Sequence, residues 1–289
     1  MTSKKADWRF SQRVSRQPDG SSSRRQMAQR SHSSVAHREP DNPIYHSTRA
    51  ILLAGQVIHR LLRGRLGQRQ IMDHLMCAGP RCVASVVATN TCTGIIFAIQ
   101  TATEMSRFGA VSSLGSAFVA GYCRELAPLL TAGVLACQVG SAFAAEIASM
   151  KLTQQIDALK VLRTDPIDYL VMPRVIACGV MLPVLTLLAL FCGVVSGGTL
   201  ASSFYQLPFA TFLDGVRASL SVADVLLIMG KALLFGWVIA IASCSRGLTA
   251  VTHGKGVGQS ATSAVVMAWM ALFFIDLVIA CLYLLTVVR

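Results

Sequence analysis

The sequence predicts an all-α polytopic membrane protein, in which an interfacial amphipathic helix precedes about five transmembrane helices. Of its 289 residues, 53% are hydrophobic and only 14% are charged. Four runs carry no charge at all: residues 82–103, 126–145, 175–213 and 256–275. Because a span needs about 20 mostly apolar residues, each of these runs is long enough to cross a bilayer.

Residues 1–49 form a leader that we predict to be disordered, ahead of a membrane domain over residues 50–289. The leader has ten Lys or Arg and four Asp or Glu, is rich in Ser and shows no apolar period. It lacks the apolar stretch of a secretory signal. An organelle transit peptide and a basic cytoplasmic tail both fit this composition.

The stretch Ile51–Met76 is predicted to be an amphipathic helix, because an apolar stripe runs beside a basic face. The stripe comprises Val57, Ile58, Leu61, Leu62 and Leu66, and the basic residues are Arg60, Arg63, Arg65 and Arg69. Such a helix either lies among the lipid headgroups or packs on protein next to the membrane.

Spans are predicted over residues 81–103, 114–148, 170–200, 225–245 and 261–287, with a loop over residues 201–223. Loops 149–170 and 246–256 hold five Lys or Arg, whereas loops 104–113 and 201–223 hold two. By the positive-inside rule, the first two loops face the cytoplasm or the stroma.

Four charged side chains fall inside or beside the hydrophobic runs, where an unpaired charge is costly. Arg124 and Glu125 point about 100° apart on a helix, so they need not pair with each other. An ion pair between helices is favoured for Arg124, and the lining of a polar path is favoured for Glu125. We expect Lys231 and Asp276 either to pair or to reach the membrane interface.

Small residues repeat along the second span at Gly140, Ala144 and Ala148. Such a face lets two helices approach closely. The spacing fits a contact inside one chain and a dimer interface equally well. Nearby, the amide of Gln138 is able to hydrogen-bond across helices.

The linker Met150–Leu162 is predicted to be an amphipathic helix that ends before Pro166. Leu152, Ile156 and Leu159 share one side, and polar residues occupy the other. Such a helix either rests on the lipid surface or docks into a partner outside the membrane.

Missing motifs argue against several kinds of chemistry. The chain has no phosphate-binding loop, nucleophile elbow or His–Glu zinc pattern, which argues against ATP binding by this chain and against an enzyme. Its nine cysteines form no C-x-x-C pair, which favours buried thiols over a disulfide framework or a metal site. The net charge of +12 accompanies no nucleic-acid-binding module, so no nucleic-acid partner is expected.

Five segments carry a specific resemblance to a known family. They are Arg124-Glu-Leu-Ala-Pro-Leu-Leu-Thr-Ala, Val139-Gly-Ser-Ala-Phe-Ala-Ala-Glu-Ile, Thr153-Gln-Gln-Ile-Asp-Ala-Leu, Asp165-Pro-Ile-Asp-Tyr-Leu-Val-Met-Pro-Arg and Gly256-Val-Gly-Gln-Ser-Ala. Together they resemble the MlaE/YrbE family, the permease subunits of MCE-associated ABC lipid transporters. Leu62-Arg-Gly-Arg and the segment from Leu162 are most similar to the cyanobacterial and plastid branch.

The resemblance implies a homodimeric permease, a separate ABC ATPase that binds the ATP, an MCE-domain protein and a membrane phospholipid as cargo. It implies no cofactor or metal in this chain, and a place in the plastid inner envelope or a bacterial inner membrane. The implied coupling helix, which docks on the ATPase, comprises Met150, Lys151, Leu152, Thr153, Gln154, Gln155, Ile156, Asp157, Ala158 and Leu159. The implied lipid path comprises Arg124, Glu125, Gln138 and Glu146.

Two positions depart from the family pattern. Gln138 stands where the family usually has Arg, which removes a cation near the implied cavity. Gln154 stands where it usually has Glu, which removes a carboxylate from the implied coupling helix. Two other functions stay open: a membrane scaffold for MCE proteins, and a secondary carrier that works without an ATPase.

Overall fold

In the computed structural model, the described residues from 80 onward form five long helices and two short ones. It describes residues 52–53, 55–57, 72, 75, 79–163, 165–205, 207–250 and 256–287, all within one unit, His46–Arg289. The helices are α1 (Pro80–Arg107), α2 (Val111–Leu152), α3 (Gln155–Val161), α4 (Ile167–Phe204), α5 (Phe209–Ser219), α6 (Val222–Leu248) and α7 (Gly256–Val287). The five long helices confirm the five predicted spans, since each is long and apolar enough to cross a membrane.

Two predicted segments fall largely beyond what the structure describes. The leader, residues 1–49, lies wholly outside the described residues. The predicted amphipathic helix Ile51–Met76 lies mostly outside them, and its few described positions, such as Leu53 and Val57, are helical.

Helix α4 lies at the centre, packed against α1 on one side and α6 on the other, and α2 packs on α6 and α7. Small residues allow these close approaches. A Cβ on Gly94 of α1 would lie 2.7 Å from the carbonyl oxygen of Gly193 in α4, and one on Gly236 of α6 would lie 2.5 Å from that of Cys178. These distances are shorter than van der Waals contact, so the helix pairs depend on glycine at both places.

The predicted loop over residues 201–223 is wrong in one respect, because it contains the helix α5. This helix begins after Pro208, buries Phe212 and Val216, and packs on the start of α2 through Gly115. A half-buried helix of this length gives only two or three apolar positions per face, so composition alone did not distinguish it from a loop.

Pro128 falls inside the second span, where a proline predicts a break in the helix, but helix α2 continues through it. Its backbone widens into π-helix over Val119–Leu126 and then returns to α-helix at Ala127. Proline lacks an N–H and clashes with the carbonyl four residues earlier, and the wider turn accommodates both constraints. A π stretch at Ile167–Val171 precedes Pro173 in the same way, and α2 has another at Ala136–Gly140.

Candidate functional site

A charged cluster joins α2, α6 and α7 inside the hydrophobic region. The Nζ of Lys231 lies 2.6 Å from Glu125 Oε2 and also pairs with the carboxylate of Asp276. The Lys231 side chain is only 1% exposed, whereas that of Glu125 is 45% exposed. Of the two alternatives for Lys231 and Asp276, the structure shows the pair, and Glu125 joins it as a third member with a partly exposed side chain.

Arg124 forms a separate ion pair between helices. Its guanidinium lies 3.0 Å from Asp224 in the first turn of α6 and over the ring of Tyr283 in α7. Asp224 also completes a capping box, since its carboxylate accepts from the Ser221 N–H and its own N–H donates to Ser221 Oγ. Arg124 thus ties α2 to the start of α6, as favoured from the sequence.

A buried hydrogen-bond network lies between α1, α2 and α4. The Tyr122 hydroxyl contacts the side-chain and backbone oxygens of Asn90 and the carbonyl of Ala189, and Asn90 Nδ2 donates to Thr131 Oγ1. Sequence reasoning missed this network, although the isolated Asn90 in a charge-free run was a usable signal. The network fixes the first π stretch of α2 against two neighbouring helices.

Two polar side chains of α2, Gln138 and Glu146, are exposed on the surface of the single chain. Gln138 Nε2 donates to Ser85 Oγ of α1. The two positions are eight residues apart, with exposed Ala142 midway, so they follow one face of the helix. A face with an amide and a carboxylate is unfavourable against hydrocarbon, which favours contact with protein or a polar cavity.

Glu146 lies near the end of α2 that is followed by α3, and it pairs with a buried arginine of α4. Arg174 Nη2 lies 2.8 Å from Glu146 Oε2, and its Nη1 donates to the carbonyl of Leu170. The Arg174 guanidinium lies 5.2 Å from the centre of the Phe143 ring. Since Arg174 is only 1% exposed, this pair clamps α2 to α4 at the base of the linker that contains α3.

The small-residue face of α2 is occupied within the chain. Gly140, Ala144 and Ala148 are all buried. A Cβ on Gly140 would lie 2.7 Å from Ser243 Oγ of α6, and one on Gly247 would lie 3.0 Å from the carbonyl of Ala144. The close contact with α6 accounts for the repeat inside a single protomer.

The linker after α2 differs from the single helix predicted over Met150–Leu162. Helix α2 continues to Leu152, and α3 begins only at Gln155. Between them Gln154 has a left-handed backbone, with φ of 58°. A residue in that conformation cannot continue a right-handed helix, so the linker is divided in two.

The predicted coupling residues point in two directions. Ile156 is buried and Leu159 packs against the same core, while Met150, Lys151 and Leu152 are half-buried. The exposed members are Thr153, Gln154, Gln155, Asp157 and Ala158. Beyond them Val161 and Leu162 are 83% and 73% exposed. The apolar stripe therefore anchors α3 to its own chain, and any outside partner meets the polar face and the Val161–Leu162 end.

Within the described part of the chain, no three His, Cys, Asp or Glu side chains lie close enough together to hold a metal ion. None of the eight cysteines in that part forms a disulfide, and Cys82, Cys123, Cys178 and Cys244 are buried. The geometry thus offers ion pairs and helix contacts in place of a metal centre.

Five helices able to span a membrane, four of them joined by ion pairs, define a polytopic membrane protein, and the short helix α3 connects two of the spans. The chain belongs to the MlaE permease family, because the family model described as Permease MlaE matches residues 71–282. This confirms the family resemblance predicted from the sequence.

Relatives come from cyanobacteria and plastids, which agrees with the predicted branch. The probable ABC transporter permease protein slr1045 of Synechocystis is 47% identical over 224 residues, which cover 78% of this chain and 85% of the relative. Protein TRIGALACTOSYLDIACYLGLYCEROL 1, chloroplastic, of Arabidopsis thaliana is 38% identical over 241 residues, 83% of this chain and 69% of the relative. The probable ABC transporter permease protein ycf63 of Pyropia yezoensis is 36% identical over 230 residues, 80% of this chain and 88% of the relative.

Proposed function

We propose that this chain is the permease subunit of an ABC-type transporter that moves a membrane phospholipid with energy from a separate ATPase. The observation that carries the proposal is the MlaE permease match, which spans α1 to α7 and includes the α3 linker. Relatives named as probable ABC transporter permeases support the same type of machine. ATP is bound by the partner subunit, and this chain needs no cofactor and catalyses no reaction of its own.

The ATPase docks on the exposed side of α3. Ile156 and Leu159 pack against the core of this chain. The docking surface therefore consists of the exposed residues Gln155, Asp157, Val161 and Leu162. Val161 and Leu162 are two exposed apolar side chains at the end of α3, whose exposed side is otherwise polar. Such a surface fits a partner groove with a small apolar pocket and a polar rim. The Glu146–Arg174 clamp lies at the base of this linker, so movement of α3 passes to both α2 and α4.

The lipid path follows the open side of α2. Glu125, Gln138 and Glu146 each keep a polar side chain exposed on α2, although each also contacts a polar group of another helix. A lipid headgroup passing along this side meets hydrogen-bonding groups in place of hydrocarbon. Arg124 contributes through its pair with Asp224, which holds the start of α6 beside the path.

A second copy of the chain completes the cavity in this proposal, and an MCE-domain protein receives or delivers the lipid on the opposite side of the membrane. The dimer contact does not use Gly140, Ala144 and Ala148, since all three are already buried within the single chain. The open face that contains Gln138, Ala142 and Glu146 is the region that a second copy shields from hydrocarbon. The similarity to a chloroplastic relative favours the plastid inner envelope over a bacterial inner membrane.

The test compares Val161→Asp/Leu162→Asp with the wild type after gentle purification from native membranes. We expect the double variant to insert normally and to lose its ATPase subunit, because the exposed apolar contact is removed without touching the core. Phe108→Asp is the matched control, since Phe108 is equally exposed but lies at the opposite end of α2.

The same preparations are reconstituted in liposomes with an acyl-fluorescent phosphatidate, and its ATP-dependent transfer is measured. Transfer by the wild type and by the control, with loss in the double variant, supports the proposal. A double variant that keeps its ATPase would contradict the docking surface. Lipid transfer by the wild type that does not depend on ATP would indicate a secondary carrier. No lipid transfer by the wild type would indicate a scaffold.

A further inference from the structure

Pro128 cannot donate a backbone hydrogen bond, because proline has no N–H. In an α-helix the carbonyl that residue 128 would serve is that of Arg124, and in the π-helix observed over Val119–Leu126 it is that of Cys123. In this structure Lys231 Nζ lies 3.3 Å from the Arg124 carbonyl oxygen and donates to it. An ammonium group from α6 therefore stands where the missing amide of α2 would donate.

The Lys231 ammonium interacts with three groups. It donates hydrogen bonds to the Arg124 carbonyl and to Glu125 Oε2, and it forms an ion pair with the Asp276 carboxylate. One buried side chain thus binds the backbone of α2 and also the carboxylate on its next residue. The ion pair and the shape of the helix backbone are linked through this group.

The backbone at this point decides where Glu125 lies. Val119–Leu126 is π-helix, which holds more residues per turn than the α-helix on either side. If the π-helix tightened to an α-helix, one extra residue would have to be accommodated in the turn. The residues before the stretch would then be rotated about the helix axis by about 100° relative to the residues after it. Glu125 would then leave the open side on which it is now 45% exposed.

We propose that Lys231 is a positioning residue, which maintains the Pro128-imposed π turn of α2 and thereby keeps Glu125 on the lipid path. This inference rests on the proposed function for the path itself. The contacts among Lys231, the Arg124 carbonyl and Pro128 do not depend on what the path carries. The backbone link is therefore tested by unfolding, and the role of Glu125 in the path is tested by transport.

The first test is a cycle of variants measured by thermal unfolding in detergent. Lys231→Met/Asp276→Asn removes the ammonium without leaving the enclosed Asp276 carboxylate unpaired, and should lower the unfolding midpoint. Adding Pro128→Ala restores an N–H for the Arg124 carbonyl, so the midpoint should rise again by several degrees. Pro128→Ala in the wild type should change the midpoint far less, since the carbonyl already has a donor.

Pro173→Ala is the matched control, because Pro173 also follows a π stretch but has no role in the contact with Lys231. It should shift the midpoint equally in both backgrounds. If Pro128→Ala behaves like this control, with the same shift in both backgrounds, the link between Lys231 and the Pro128 backbone is refuted.

The second test reads transport in the same variants. Pro128→Ala alone should keep its ATPase and most ATP-dependent transfer of the acyl-fluorescent phosphatidate, because Lys231 still binds Glu125 and the Arg124 carbonyl. Lys231→Met/Asp276→Asn/Pro128→Ala should keep its ATPase but lose most transfer, because the turn is then free to close and Glu125 to rotate. Pro173→Ala alone should keep transfer. Full transfer by the triple variant would overturn the positioning role. A wild type without ATP-dependent transfer would count against the proposed function, while the unfolding cycle would still test the backbone link.

Discussion

The two short helices that connect spans, α3 and α5, lie at opposite ends of the bundle and are attached very differently. Helix α5 buries Phe212 and Val216 and makes a backbone contact between Gly115 and Gly215. Helix α3 buries only Ile156, and left-handed residues stand just before and after it, at Gln154 and Arg163. The comparison indicates that α5 is a fixed part of the fold, whereas α3 is held by one fully buried side chain, Ile156, with Leu159 half-buried beside it, and offers its other side to a partner.

The largest expected effect is on the fixed helix. Gly115→Ala places a Cβ 2.4 Å from the Phe212 carbonyl oxygen, which forces α5 away from α2. We expect a loss of about 1–3 kcal/mol in the free energy of unfolding, as for overpacking in a core. Gly230→Ala is the control, because a Cβ there meets no atom within 4 Å. Equal thermal stability of the two variants would contradict the tight attachment of α5.

A smaller, local effect is expected at the single anchor of α3. Ile156→Ala removes the only fully buried side chain of this helix, at a cost of about 2 kcal/mol for a site near the surface. Hydrogen exchange should rise in residues 155–161 while the spans keep their protection. Val161→Ala, at an exposed position, should leave exchange unchanged. Unchanged exchange in Ile156→Ala would show that α3 is held by other contacts.

The smallest effect is expected at the left-handed residue before α3. Glycine adopts φ of 58° without strain, so Gln154→Gly should leave stability unchanged or raise it by less than about 1 kcal/mol. Ala158→Gly, an exposed position inside the same helix, should lower stability by about 1 kcal/mol. Hydrogen-exchange rates of residues 155–161 measure the effect of each of these two substitutions. Similar losses in the two variants would argue against the observed break between α2 and α3.

The sequence was sufficient for the spans and for part of the charged cluster. Long charge-free runs have few alternatives to membrane helices, and charges at membrane depth need partners, so the pairing of Lys231 with Asp276 followed. The third partner, Glu125, did not follow, because it depends on how far α2 turns between its charges and Pro128. A π stretch changes that rotation and leaves no signature in composition.

The linker shows a second limit of sequence reasoning. The periodicity grouped Leu152, Ile156 and Leu159 on one side, but it did not say whether that side meets the chain's own core or a partner. The break at Gln154 leaves Leu152 in α2 and the other two residues in α3. The structure commits Ile156 and Leu159 to the core. The left-handed backbone at Gln154 also had no sequence signal, since glycine and asparagine are the usual residues there.

The most direct test of the account is photo-crosslinking in native membranes from the exposed ends of the two short helices. A photoreactive amino acid is placed at Leu162, beside α3, or at Asp214, on the exposed side of α5. We predict that the probe at Leu162 captures an ABC ATPase subunit and that the probe at Asp214 does not. Capture of the ATPase from both positions, or only of lipid from Leu162, would contradict the assignment of α3 as the element that receives the ATPase.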